Sequence, residues 1–279
     1  MPGSGVFTPG AQGIDFRKRF DVLGVDPSWF ARKRVLDIGA FTGSLTFLLE
    51  DLGAEVVAFD IADPDLCGFN IVRECRGSDV RHVRQTVYNL HPQDHGMFDA
   101  VMYFGVFYHL KHPILALERI NAVLREGGLL LGGGTTIDRW FHNHDESCQQ
   151  GCDLERITME NVVTHKDTHG PIMSVDTLNE LPLCGFASEH FIKQTNNWFV
   201  PNTECVLGWL NATGFDVSSV HRSASRLQRD WNTENLLRSI MLFNASKARP
   251  PTSEVTQSYL EDFEIPVAGD LVRKHEVNS

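Results

Sequence analysis

Asp37, Gly39, Gly43 and Asp60 are the residues whose types and spacing do the most recognisable chemistry. The first three lie in Val35-Leu36-Asp37-Ile38-Gly39-Ala40-Phe41-Thr42-Gly43, a short apolar run that breaks into a glycine-bounded turn. Such a run reads as a strand feeding a helix, with glycine letting the backbone turn sharply and come close to a ligand. Asp60 closes the next apolar run, 21 residues after Gly39. A carboxylate there can accept hydrogen bonds from both hydroxyls of a ribose, and Ile61 beside it can lie against a purine face. In an open α/β sheet, ligands sit beyond the carboxyl ends of the central strands. The chemistry implied is the holding of an adenosine-bearing cofactor.

The elements that must position these residues alternate strand and helix, the pattern of a mostly parallel sheet. Val35–Ile38 reads as the first strand. Ser44–Leu52 follows as a helix with Leu45, Leu48, Leu49 and Leu52 on one face, ended by Gly53. Glu55–Phe59 is the second strand, a helix covers about 66–73, and a third strand lies near 82–87. It brings Val87, Tyr88 and Asn89 to the adenine edge, where the Asn89 amide can both accept and donate. Phe98–Phe104 is a buried fourth strand. Pro113 opens a helix that runs to about Arg125, and Gly127-Gly128 precedes a fifth strand from Leu129. Periodicity fades over about 138–200, a length typical of a functional lid. A helix at 202–211 and strands at 215–221 and 236–244 close the sheet. The division expected is an N-terminal arm (1–34), a core domain (35–247) with the insertion, and a C-terminal extension (248–279).

Phe41 occupies a place where the dinucleotide fingerprint G-x-G-x-x-G needs a small residue beside a pyrophosphate, which argues against a nicotinamide cofactor. Asp37 within D-x-G-x-x-x-G is instead typical of S-adenosylmethionine sites, where a carboxylate orients the turn and the ammonium group. The fourth strand and its exit read Phe98-Asp99-Ala100-Val101, then Gly105-Val106-Phe107-Tyr108-His109, then Pro113. Together with the aromatic Phe41, Tyr88 in its short Val-Tyr segment, Asn197-Trp198-Phe199-Val200-Pro201-Asn202 and Arg238 before the last strand, this resembles one branch of the methyltransferases. That branch is similar to the enzyme that completes the 5-oxyacetyl group on the wobble uridine of tRNA. The likeness covers residues 35–135 and 196–245. It implies a Rossmann-like class I methyltransferase with a mostly parallel seven-stranded sheet, an antiparallel closing strand and a lid-like insertion. It further implies S-adenosyl-L-methionine as cofactor, with Asp37, Gly39, Ala40, Phe41, Gly43, Asp60, Ile61, Tyr88 and Asn89 around it. Phe104 and Tyr108 would line its methionine end, and Arg238 would reach its carboxylate side. The tRNA enzyme uses a carboxylated S-adenosylmethionine, held by basic and aromatic residues ahead of the first strand. The basic runs available there, Arg17-Lys18-Arg19 and Arg32-Lys33-Arg34, are read here as solvated turns.

Transfer from a sulfonium depends chiefly on orientation, worth on the order of 7–11 kcal/mol. A base adds ~10²–10⁴-fold for a hydroxyl acceptor. His109 beside Tyr108 is the expected base, and His112 the cap of the following helix. Trp140, His142 and Trp198 are expected to meet the acceptor, with Phe141, Phe191 and Phe199 as further apolar wall. His142, His144, Asp145, Cys148, Cys152, His165 and His169 carry zinc-type ligands, but their spacing fits no common structural site, so no metal is expected.

A net charge of −11 disfavours a polyanionic partner, because phosphate binding relies on neutralising Lys and Arg. The acceptor expected is therefore a small molecule, methylated on oxygen in secondary metabolism, with nucleic acid unfavoured. The alternatives are a tRNA-modifying methyl or carboxymethyl transferase and a methyltransferase-like binding domain without catalysis. Six cysteines and no basic-apolar leader suggest reduced thiols and a cytoplasmic address, with no membrane span; the oligomeric state is open.

Overall fold

The computed structural model describes residues 15–138, 179–186, 197–223, 226–227 and 237–251. Its centre is a sheet in which β1 (Arg34–Ile38), β2 (Glu55–Asp60), β3 (Arg81–Arg84), β4 (Phe98–Phe104) and β5 (Leu124–Thr136) run parallel. Beyond a two-stranded pair, β6 (Cys184–Phe186) with β7 (Phe199–Pro201), come β8 (Phe215–Arg222), β9 (Arg226–Leu227) and β10 (Leu237–Lys247). The order is β3-β2-β1-β4-β5-β10-β8, with β9 on β10. β10 inserts antiparallel between β5 and β8, which is the closing strand expected from the sequence.

Strand residues alternate between two apolar layers because successive side chains leave a pleated strand on opposite faces. Leu36 and Ile38 of β1 and Val101 and Tyr103 of β4 enter one layer, beneath α5 (Pro113–Val123) and α6 (Thr203–Ala212). Val35, Ala100 and Met102 enter the other. That layer is roofed by α1 (Phe16–Val22), α2 (Ser44–Asp51) and α3 (Phe69–Arg76). A further short helix, α4 (Pro92–His95), precedes β4.

The sequence reading shifts in three places. The arm ahead of β1 is structured: Asp15 caps α1 by accepting from the Arg17 and Lys18 amides (3.1 and 3.3 Å), and Phe20 is fully buried. One apolar side chain per turn was too sparse a pattern to reveal so short a helix. α3 starts at Phe69, three residues later than its leucine suggests, because Leu66 is 88% exposed. β3 stops at Arg84, and Val87–Asn89 forms a 3-10 turn capped by the Thr86 hydroxyl. Most of the insertion and most of the C-terminal extension lie outside the described residues.

Asn202 fastens the β6–β7 pair to the domain. Its side-chain oxygen accepts from the amides of Cys205 and Leu183 (both 2.9 Å), and its nitrogen donates to the carbonyls of Leu181 (2.6 Å) and Asn179 (3.2 Å). It is 1% exposed, so truncation strands buried donors and acceptors as well as removing a helix cap. Asn202→Ala is expected to lower unfolding free energy in urea by about 2–4 kcal/mol. Asn202→Asp keeps both accepted bonds but sets a carboxylate oxygen against the Leu181 and Asn179 carbonyls, so it should cost at least as much.

Candidate functional site

A cavity of about 520 Å³ opens beyond the carboxyl ends of β1, β4 and β5, within the range of small-molecule sites. Asp37, Gly39, Ala40, Phe41 and Thr42 form one wall, and Phe104, Gly105 and Tyr108 form the wall from β4. Gly133, Gly134 and Thr135 of β5 form the floor, and Phe16 and Arg19 of α1 reach in from the side.

The turn after β1 is tight because backbone groups close it. The Gly39 amide donates to the Phe59 carbonyl (2.9 Å) and the Gly43 amide to the Ala40 carbonyl (2.7 Å). Gly39 has φ +77°, and a Cβ there would stand 2.7 Å from Val106 Cγ2, so only glycine lets the β4 exit pass this close. Phe41 takes φ +45°, an unfavourable conformation for a bulky residue, costing on the order of 1–3 kcal/mol. Asp60 holds it there. One carboxylate oxygen accepts the Phe41 amide and the other the Ala62 amide, both at 2.8 Å, while the Cys67 thiol meets the Phe41 carbonyl.

Asp37 is 2% exposed, and Thr46 donates its hydroxyl to it at 2.5 Å. Burial pushes its carboxyl up to about 7; the Thr46 bond opposes the shift and the nearby Asp60 charge adds to it. The cavity thus has a proton-holding acid on its lining. Also on the lining, the Arg19 guanidinium lies 5.2 Å from the Phe16 ring centre and 5.4 Å from that of Phe104. Burial lowers the Arg19 pKa, and Tyr108 acts in the opposite direction.

Of the residues expected around the cofactor, the structure gathers Asp37, Gly39, Ala40, Phe41, Phe104 and Tyr108 on the cavity wall. Gly43 is the left-handed N-cap of α2 just behind it. Asp60, Ile61 and Asn89 lie outside the lining, Asp60 bound to the turn and Ile61 61% exposed at the end of β2. Tyr88 is placed elsewhere than expected: it is buried in the core, and its hydroxyl accepts the amides of Lys111 and His112. With β3 ending early, the 3-10 turn rotates that ring inward. Arg238 pairs in register with Arg226 on β9. His109 stacks on Tyr108, ring centres 4.4 Å apart, without lining the cavity. His112 is the N-cap of α5 but makes no side-chain cap bond. Trp198 donates its amide to the Tyr108 carbonyl (2.9 Å). Trp140 and His142 lie outside the described residues, as do the other zinc-type ligands of the insertion.

Two features escaped the sequence reading. Arg19 and Arg34 are not solvated: Arg34 stacks 4.3 Å over Phe98 and donates to the Met97 carbonyl, and Arg19 enters the cavity. The glycines of β5 were the other omission. A Cβ on Gly134 would approach the rings of Phe107 and Tyr108 to 2.9 Å, so Gly134 is what lets Tyr108 lie against the strand, while Gly132 and Gly133 make room for Phe243 and the β10 backbone. Consecutive glycines inside an apolar strand were the available signal.

A family model described as a methyltransferase domain matches residues 36–130. Residues 36–130 thus form a methyltransferase domain, on the fold of class I S-adenosylmethionine-dependent methyltransferases. S-adenosyl-L-methionine is the cofactor of this domain. The cavity, with a glycine turn that admits no side chain at Gly39 and a buried acid on its lining, fits such a molecule. The tRNA U34 carboxymethyltransferase of Mannheimia succiniciproducens is 27% identical over 208 residues, covering 72% of this chain and 50% of that one. The same enzyme of Actinobacillus pleuropneumoniae is 25% identical over 210 residues, covering 72% and 51%. The chain spans about half the length of these relatives. Among solved structures, 1,6-didemethyltoxoflavin-N1-methyltransferase of Burkholderia thailandensis superposes with TM-score 0.51 at 17% identity, covering 84% of this chain and 78% of that one. An S-adenosylmethionine-dependent methyltransferase of Mesorhizobium loti gives 0.50 at 14%, covering 80% and 99%. At these identities the structures speak for the fold.

The relatives overturn two expectations. A small-molecule acceptor methylated in secondary metabolism, and the reading of nucleic acid as unfavoured, both gave way to relatives named for tRNA. The physical reason is that net charge sums over the whole chain, whereas recognition is local. Among the described residues no helix is long and apolar enough to cross a membrane.

Asp37 gives a direct check on the site. An acid whose folded pKa exceeds its unfolded value favours folding when protonated, so its contribution declines as pH rises from about 4 to 7. Asp37→Asn removes that loss. In the absence of cofactor it should stabilise the fold relative to the unsubstituted chain by at least about 1 kcal/mol more at pH 8 than at pH 5, measured by urea unfolding.

Proposed function

We propose that the chain transfers a carboxymethyl group from a carboxylated S-adenosylmethionine to a uridine of tRNA. The observation that carries this reading is the Phe16–Arg19 pair. It sets a basic and an aromatic side chain ahead of β1 into the cavity that the buried acid Asp37 also lines. A half-buried guanidinium, beside two aromatic rings and under the influence of Tyr108, suits a carboxylate carried by the cofactor. The tRNA-directed names of the relatives support the acceptor.

In this reading the bound cofactor supplies an electrophilic carbon on a sulfonium, which an acceptor oxygen displaces in line as the carbon–sulfur bond breaks. The protein positions and discharges. When bound, the cofactor would be held at its ammonium by an ionised Asp37 and at its adenosine by Asp60, Ile61 and Asn89, and Arg238 is assigned to its carboxylate side by the resemblance. Arg19 and Tyr108 hold the transferred carboxylate away from the acceptor. His109, packed on Tyr108, takes the acceptor's proton. The proposal includes the division into arm (1–34), domain (35–247) and extension (248–279), and a cytoplasmic location where tRNA is modified.

Three measurements test it. With purified tRNA and carboxylated cofactor, the product nucleoside should gain a carboxymethyl group; a gain of methyl only, or no product, would overturn the reading. Arg19→Met should lower kcat/KM with that cofactor about 10- to 150-fold, the loss of one charge-assisted bond, while the melting shift given by S-adenosylhomocysteine persists. An equal loss of that shift would reassign Arg19 to the methionine carboxylate. Asp37 must release its proton to meet an ammonium. S-adenosylhomocysteine should therefore bind more tightly as pH rises from about 6 to 8, and Asp37→Asn should flatten that profile.

A further inference from the structure

We propose that Lys111 and Trp198 form a docking platform for the nucleic-acid strand beside the cavity, Trp198 stacking a base and Lys111 neutralising an adjacent phosphate. This rests on the tRNA reading above and assigns it a place on the surface. The Lys111 ammonium lies 4.3 Å from the centre of the Trp198 ring. Lys111 is exposed, and none of the ion pairs among the described residues includes it, although the chain carries eleven more acidic than basic groups.

The pair is anchored to the site on both sides. Trp198 donates its amide to the carbonyl of Tyr108, whose ring lines the cavity. The backbone around Lys111 is fixed from below, because the buried Tyr88 hydroxyl accepts the amides of Lys111 and His112. An indole and a cation are therefore held next to the part of the cavity wall that Tyr108 contributes. That is the combination by which proteins grip single strands: an aromatic face for a base and a charge for the backbone.

In the free protein the ammonium covers the indole. An exposed cation–π contact is weaker than base–aromatic stacking, so an arriving base displaces it. The released ammonium is then a side chain's length from the phosphate that follows the stacked base. One residue thus shields the platform when empty and contributes to it when filled.

The experiment is tRNA binding at several salt concentrations, with S-adenosylhomocysteine present, by the unsubstituted chain and by Trp198→Ala, Trp198→Phe and Lys111→Gln. The melting shift given by S-adenosylhomocysteine checks that each variant is folded. Trp198→Ala should weaken binding about 10- to 100-fold and leave the salt dependence unchanged, while Trp198→Phe keeps most of the affinity. Lys111→Gln should reduce the slope of log K against log salt by about 0.7–0.9. If Trp198→Ala proves unfolded, the other two variants decide. Should the unsubstituted chain bind tRNA while all folded variants match it in affinity and slope, the platform is wrong and the tRNA reading stands. Should the unsubstituted chain not bind tRNA at all, the platform falls together with that reading.

Discussion

The hydrogen bond from the Phe41 amide to Asp60 joins the two strand ends on which the cavity is built. Without it, nothing compels a phenylalanine to stay at φ +45°, and the turn after β1 would relax toward the room that a ligand occupies. The same carboxylate also fixes the start of the segment after β2 through the Ala62 amide. Its charge reaches Asp37, helping to keep that buried acid protonated. One side chain thus sets backbone shape on one side and proton affinity on the other. A cofactor that offers hydroxyls to Asp60 and an ammonium to Asp37 would address both at once.

The fold was largely legible because its signals are local. Alternating apolar runs, Gly53 after a leucine face and Pro113 before another each report on a few neighbouring residues, and the alternation of strand and helix points to a mostly parallel sheet. The Asp37–Gly43 wall was legible for the same reason. Arg19 was not. Its neighbours Arg17 and Lys18 are exposed, and only the docking of α1, with Phe16 edge-on to Phe104 at 5.8 Å, turns the third residue of that basic run inward. Tyr88 failed in the opposite way: the sequence located its segment, but one early strand ending pointed the ring into the core.

The acceptor was misread for a reason that concerns scale. Charges more than about a Debye length apart in salt scarcely sense each other, so a total of −11 says little about a patch the size of one nucleotide. Arg19, beside two rings, and Lys111, over an indole, each create a local field that the total conceals. Both are paired with aromatic faces, not with carboxylates, and a count of acidic and basic residues has no term for that.

The last strand carries a consequence for how the chain acquires its shape. β10 runs through the interior of the sheet, pairing with β5 from Ser239 to Ser246 on one side and with β8 on the other. Until it has been synthesised, β5 offers a bare edge and β8 has no partner in the sheet. The nucleotide-facing half can assemble early, since β1 to β5 are contiguous in order of translation. The other half must wait for residue 247, leaving an apolar edge open meanwhile. A chain cut before that point would lose a central plank and not a trailing end, and the unfinished sheet would be the species most prone to pair with its own copies.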